Sequence, residues 1–181
     1  MFEPTIGRRQ MLGGLLALGG LGLLPDSAFA ALPERRLAFR NVHNSERIDA
    51  RYFGAGGFDA EGLAEINHGL RDWRTGETAK MDTDLLDLLA SVRDRLGVSP
   101  RRPFDLISGY RSPHTNAALH SRSGEVASRS QHIHARASDV ALPGISLDRL
   151  RSAAISANRG GVGYYPRDGF VHIDTGPVRT W

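Results

Sequence analysis

The chain of 181 residues contains no cysteine. Thiolate zinc sites, disulfides and a lipid-modified cysteine behind an export signal are therefore excluded. A fold that works outside the cytoplasm without disulfides must rest on packing, and on any metal it binds. Lysine is almost missing as well: Lys80 is the only one among 23 basic residues. The positive charge is arginine, and the formal net charge is +3. Such a surface suits a polyanionic partner. Long apolar runs are also lacking. The stretch from Met11 to Leu24 is rich in Leu and Gly and too short to span a bilayer comfortably. Internal repeats and low-complexity segments are missing from residues 31–181.

The apolar stretch carries the marks of an export signal. Arg8-Arg9 stands at its head, and Ala28-Phe29-Ala30 places small residues where a signal peptidase reads. The expectation is a twin-arginine signal peptide over residues 1–30, cleaved after Ala30. An uncleaved membrane anchor is the alternative. Residues 31–181 then form one periplasmic domain, large enough for a real core and without stable membrane insertion. Removing residues 1–30 takes away Arg8 and Arg9 together with Glu3 and Asp26, so the net charge stays at +3. For an exported protein the polyanionic partner is the cell wall rather than nucleic acid. The sequence carries no signal of oligomeric state.

Residues 37–53 alternate weakly and predict a β-hairpin around Asn44-Ser45-Glu46. Asp59 is set to cap a helix bearing Leu63, Ile66, Leu70 and Trp73. Asp82 is set to cap a second, with a stripe of Leu85, Leu86, Leu88, Leu89, Val92 and Leu96 that ends at Gly97. Phe104–Ser108 reads as a strand, Ser112-Pro113 as the start of a short helix, and 121–131 as a polar loop. Ala137–Leu142 reads as a strand, and Ser146 caps a helix running to about Asn158. Residues 160–165 and 169–175 read as two further strands. The expected fold class is α+β, a mostly antiparallel central sheet flanked by helices.

Chemistry concentrates in two segments. Ser130-Gln131-His132-Ile133-His134-Ala135-Arg136-Ala137-Ser138-Asp139 pairs His132 with Asp139, and also carries His134. Phe170-Val171-His172-Ile173-Asp174 holds the second candidate His. Two imidazoles and one carboxylate can hold zinc with its fourth position open, which is a catalytic rather than a structural design. Along the last strand Val171 and Ile173 share one side, and Phe170, His172 and Asp174 the other. Seven residues of strand would put His132 and Asp139 on opposite faces. His132 is therefore expected on a loop that bends back over the sheet; a helical reading of 132–139, nearly two turns, would also join the pair, but Pro143-Gly144 so soon afterwards favours loop and then strand. His134 as a further ligand would close the site and is set aside. His43, His68, His114 and His120 fall outside these segments and read as surface or supporting residues. Tyr110 reads as packing and Arg101-Arg102 as a solvated turn; Tyr164 and Tyr165 form an aromatic pair read first as core packing, with a cleft-facing place for one of them as the alternative.

These segments resemble a known family. Ser130-x-His132, Ala137-x-Asp139 and Phe170-Val171-His172-x-Asp174, with Ser108-Gly109-Tyr110-Arg111-Ser112 upstream, are similar to the zinc D-alanyl-D-alanine peptidase group, which shares its fold with the hedgehog signalling domain. Leu70-Arg71-Asp72-Trp73-Arg74, Gly160-Gly161-Val162-Gly163-Tyr164-Tyr165-Pro166 and the terminal Asp174-Thr175-Gly176-Pro177-Val178-Arg179-x-Trp181 narrow the resemblance to its YcbK-like, murein endopeptidase branch. The resemblance implies a hedgehog/D,D-peptidase-like fold with Zn2+ held by His132, Asp139 and His172. It implies Arg111 as a cation beside the metal, for a substrate carboxylate or an oxyanion. Asp174 is implied to orient His172, bind substrate, or accept a proton as general base. Some relatives place a Glu base where this chain has Gly169, and commonly a Gly where it has Ala135. The implied substrate is peptidoglycan stem peptides, cut at cross-links, those between two diaminopimelate residues among them. A D,D-carboxypeptidase or D,D-endopeptidase on the same site is the alternative. An inactive zinc-holding wall-binding module is another.

Overall fold

The computed structural model describes residues 34–123 and 127–181. The expected signal peptide at 1–30 lies outside them. Among the described residues no helix is long and apolar enough to cross a membrane.

The hairpin forms as expected, β1 (Arg35–Asn41) pairing antiparallel with β2 (Arg47–Gly54). A two-residue strand, β3 (Gly57–Phe58), extends it. Helix α1 (Ala60–Gly69) starts at Asp59, whose carboxylate accepts from the Glu61 and Gly62 N–H groups. It stops earlier than its apolar spacing suggested. Leu70 is its C-cap and Trp73 lies in the turn beyond. The physical reason is Asp72: its N–H donates to the Glu77 carbonyl at 2.9 Å and its carboxylate accepts from Ser112 N–H at 2.9 Å, so the chain leaves the helical path. Helix α2 (Thr83–Arg95) is capped by Asp82 and ends at Leu96.

Strand β4 (Phe104–Ser108) and helix α3 (Pro113–Arg122, capped by Ser112) follow. The segment read as one polar loop at 121–131 is divided. Its first two residues finish α3, and Gln131 opens a short 3-10 helix, Gln131–His134. Then come β5 (Ala137–Ala141), α4 (Leu147–Ala157, capped by Ser146), β6 (Gly161–Tyr165), β7 (Phe170–Asp174) and β8 (Arg179–Thr180).

The eight strands form one sheet in the order β3-β2-β1-β4-β5-β7-β6-β8. It is mostly antiparallel, with parallel pairs at β1–β4 and β6–β8. Val140, Val162, Val171 and Ile173 turn to a core filled by Ile66 and Leu70, the α2 stripe, and Leu150 and Ala154 of α4. The residues alternating with them in β5 and β7 point to the other side, where the candidate site lies.

Candidate metal centre

Asp139 and His172 are direct cross-strand partners in the β5–β7 register. Opposed residues of an antiparallel pair have their Cβ atoms about 5 Å apart, so the pairing alone brings carboxylate and imidazole together. His132 reaches them from the 3-10 helix. Ser130 caps that turn, its Oγ accepting from His132 N–H at 3.3 Å. Ala135 then reverses the chain in the left-handed region, φ 55°, and delivers it into β5. The loop bending back over the sheet is thus a single tight turn. Ala135 occupies a conformation that costs a residue with a Cβ roughly 1–2 kcal/mol.

Three atoms converge. His132 Nε2 lies 3.2 Å from Asp139 Oδ1 and 3.2 Å from His172 Nδ1, and the last two are 2.8 Å apart. All three residues are buried and could hold a metal ion. Their outer partners determine what these atoms present. His132 Nδ1 sits 2.6 Å from the Gly109 carbonyl, an acceptor only, so it carries the proton and Nε2 is a lone pair. His172 Nε2 sits 2.8 Å from Asp174 Oδ2, so it carries the proton and Nδ1 is the lone pair. Two nitrogen lone pairs and a carboxylate oxygen then point at one another with no donor between them. Ligands about 2.0–2.2 Å from a tetrahedral zinc are separated by roughly 3.3–3.6 Å, a spacing these atoms reach by moving apart by a few tenths of an ångström. The donor set therefore fits a divalent cation.

The protonation balance agrees. Burial, aided by the nearby Arg111 and His172 charges, keeps His132 below its usual pKa against the pull of Asp139. For His172 burial also opposes charge, but hydrogen bonds and charges from Asp139 and Asp174 outweigh it, and its pKa is raised. A proton taken up by the metal-free group would thus settle on His172 rather than His132, filling the Nδ1 lone pair until an ion displaces it. Burial presses Asp139 and Asp174 upward, yet their partners hold both carboxyls well below the usual range.

Asp174 does share a strand side with His172, but it does not reach the converging atoms. It is fully buried behind the ring. Its Oδ1 accepts from Gly161 N–H at 3.1 Å and Gly176 N–H at 2.7 Å. Its Oδ2 accepts from His172 and from Arg179 Nη2, the latter at 2.7 Å. Arg111 stands beside the centre as expected, and its contact is specific. Its Nη2 donates to Asp139 Oδ2, the oxygen that does not converge, and its Nε donates to Ser108 Oγ at 2.8 Å. His134 is exposed and outside the group.

The three residues open into a cleft of about 630 Å³, with Arg74, Arg111, Gln131, Tyr165 and Trp181 on its walls. Some contributors escaped the sequence reading, and one was read only as an alternative. Arg179 braces Asp174, and the Gly109 carbonyl sets the His132 tautomer. Tyr165 is a wall residue as well as packing: it stacks on Phe170 at 4.7 Å and its hydroxyl accepts from Trp181 Nε1 at 2.7 Å. His43 also lines the cleft. The quoted motifs contained all but His43, but nothing in them distinguished these residues from structural ones.

A family model described as peptidoglycan L,D-endopeptidase MepK matches residues 28–181. The peptidoglycan L,D-endopeptidase MepK of Escherichia coli K12 is 47% identical over 174 residues, covering 92% of this chain and 94% of that protein. The probable peptidoglycan L,D-endopeptidase MepK of Haemophilus influenzae is 39% identical over 173 residues, covering 94% of this chain and 91% of that protein. With its buried His-Asp-His group and matches along nearly its whole length, the chain belongs to the peptidoglycan L,D-endopeptidase MepK family, the YcbK-like branch of the D-alanyl-D-alanine peptidase group.

Proposed function

We propose that the protein is an exported zinc endopeptidase that cuts peptide cross-links of peptidoglycan in the periplasm. The observation that carries this reading is the three-donor centre, with tautomers set to face a cation, opening into a cleft in a chain so similar to named endopeptidases. His132, Asp139 and His172 would hold the ion. When bound, zinc supplies Lewis-acid chemistry for a scissile carbonyl and for water.

The chain's own residues do the rest. Arg111 keeps Asp139 Oδ2 engaged and leaves Oδ1 facing the two ring nitrogens. Of its five N–H groups, Ser108 and Asp139 take two, and the remainder can meet an oxyanion or a carboxylate. Asp174 is a positioning residue. It keeps the proton on His172 Nε2, and its oxygens are engaged by His172, Gly161, Gly176 and Arg179 behind the ring rather than at the converging atoms, which argues against a role as the base. The relatives are named L,D-endopeptidases, and the same bond class is read here, links between two diaminopimelate residues among them.

The test is digestion of purified sacculi and of defined cross-linked muropeptides by the zinc-loaded protein, with the fragments identified by mass. Cleavage within the cross-link is expected, and it should disappear in His132→Ala and His172→Ala proteins that have lost their zinc. Intact cross-links on every substrate, with sacculus binding retained, would make the protein a wall-binding module.

A further inference from the structure

We propose that Arg74 is a second anion site of the cleft, seated to take a free carboxylate of the cross-linked peptide away from the metal centre. The proposal rests on the endopeptidase reading above and adds a specificity residue to it. It comes from Leu70-Arg71-Asp72-Trp73-Arg74, the motif that the metal centre leaves unused. Asp72 uses its carboxylate to hold the motif together, accepting from Ser112 N–H at 2.9 Å and from the backbone N–H of Arg74 at 3.0 Å.

The cleft contains four arginines, Arg74, Arg111, Arg129 and Arg179. Two are already paired: Arg111 with Asp139 and Arg179 with Asp174. Arg74 forms no ion pair with any carboxylate among the described residues. Its seat is nonetheless built. The guanidinium lies 4.2 Å from the Trp73 ring centroid. Trp73 in turn stacks on His43, centroids 4.0 Å apart and planes 17° apart. His43 Nε2 is fastened 3.0 Å from the Ile107 carbonyl. Arg129 has no such ring or carboxylate support among the described residues.

A guanidinium held this way has lost part of its freedom before any ligand arrives, which lowers the entropy cost of binding. Its surroundings also call for an anion. Although Arg74 is exposed, the protein packed beside it presses against its charge, as do the neighbouring Arg111 and Arg122, and among the described residues only Asp72 offsets them. A planar fork with free N–H groups matches a carboxylate bidentately. Stem-peptide cross-links offer that chemistry in two places, on the diamino acid beside the cut bond and at the peptide's C-terminus.

The experiment is a cycle on the full zinc-loaded protein. The unsubstituted protein and Arg74→Gln are compared on three defined cross-linked peptides: the free acid, one amidated at the diamino-acid carboxylate, and one amidated at the C-terminus. Zinc content is measured on both proteins. Arg74→Gln is expected to keep its zinc and lose on the order of tenfold or more in kcat/KM on the free acid, chiefly through KM. Amidating the recognised carboxylate should cost the unsubstituted protein a similar factor. The two changes together should cost no more than either alone. Whichever amidation shows this coupling identifies the carboxylate. Equal losses on all three peptides, or none on any, would overturn the proposal. If the unsubstituted protein cuts none of them, the endopeptidase reading fails by itself. The same cycle is then read by calorimetric binding, where tighter binding of the free acid that vanishes in Arg74→Gln supports the anion site and unchanged preference overturns it.

Discussion

His172 shows how much depends on which of two ring nitrogens meets which carboxylate. Nδ1 is 2.8 Å from Asp139 and Nε2 is 2.8 Å from Asp174, so one acid shares the metal-facing side and the other holds the ring from behind. Asp174→Asn tests that division. The amide brings an N–H₂ group into a nest of donors, and the His172 ring loses its anchor. Zinc affinity is expected to fall about 10–100-fold, with cleavage falling alongside it. An Asn variant with full zinc affinity and cleavage reduced on the order of a hundredfold would instead make Asp174 the base. Strand periodicity placed Asp174 on the side of His172. It could not say which nitrogen the carboxylate would meet, because a period of two gives the face and not the rotamer.

Asp72 does at the level of elements what Asp174 does at the level of one ring. It is buried, and it ties the end of α1 and the turn after it to the start of α3 through Ser112 N–H. Burial pushes its carboxyl upward, but hydrogen bonds from Thr115, Ser112 and Arg74 more than offset that, and its pKa lies below the usual value. A depressed folded pKa gives stability that is present above the unfolded value near 3.9 and is lost as pH falls through the folded one. Asp72→Asn should therefore cost about 1–3 kcal/mol at neutral pH. Its deficit should shrink as acid protonates Asp72 in the unsubstituted protein. Urea midpoints of both proteins at about pH 7 and about pH 2.5 check this, and a deficit that is the same at both values would contradict it. Helix caps were legible in the sequence because Asp59, Asp82, Ser112 and Ser146 act on their own next residues. Asp72 acts on a residue forty positions away, and no local pattern records that.

For the whole molecule, a bound metal would stand in for the covalent cross-link that the chain lacks. One ion would join β5, β7 and the 3-10 helix. Zinc at about a thousand times its Kd should add roughly 4 kcal/mol to folding, or about 8–16 °C in Tm for a domain of this size. Calorimetric scans with zinc and with a chelator measure the difference. It should diminish as the pH is lowered. His172 has a raised pKa in the metal-free fold, so its proton stabilises that state in acid and must leave before zinc binds. A zinc-induced shift that stays constant from about pH 8 to about pH 5 would rule out His172 Nδ1 as a ligand.

The amino-acid sequence by itself determined the order of the main elements, the core stripe of α2 and the three residues that converge in the candidate metal centre. Those features are local periods, caps and residue types. It also held the motif around Trp73 and Arg74 without indicating a use for it. Tertiary structure decided the rest. The β5–β7 register set Asp139 against His172, and the left-handed turn at Ala135 returned His132 to them. β8 exists because the chain end pairs along β6, which also brings Arg179 to Asp174 and Trp181 to the cleft wall. The physical reason is common to all of these. A tautomer, a register or a saturated carboxylate depends on partners distant in the chain, and their positions are defined only once the sheet has closed around them.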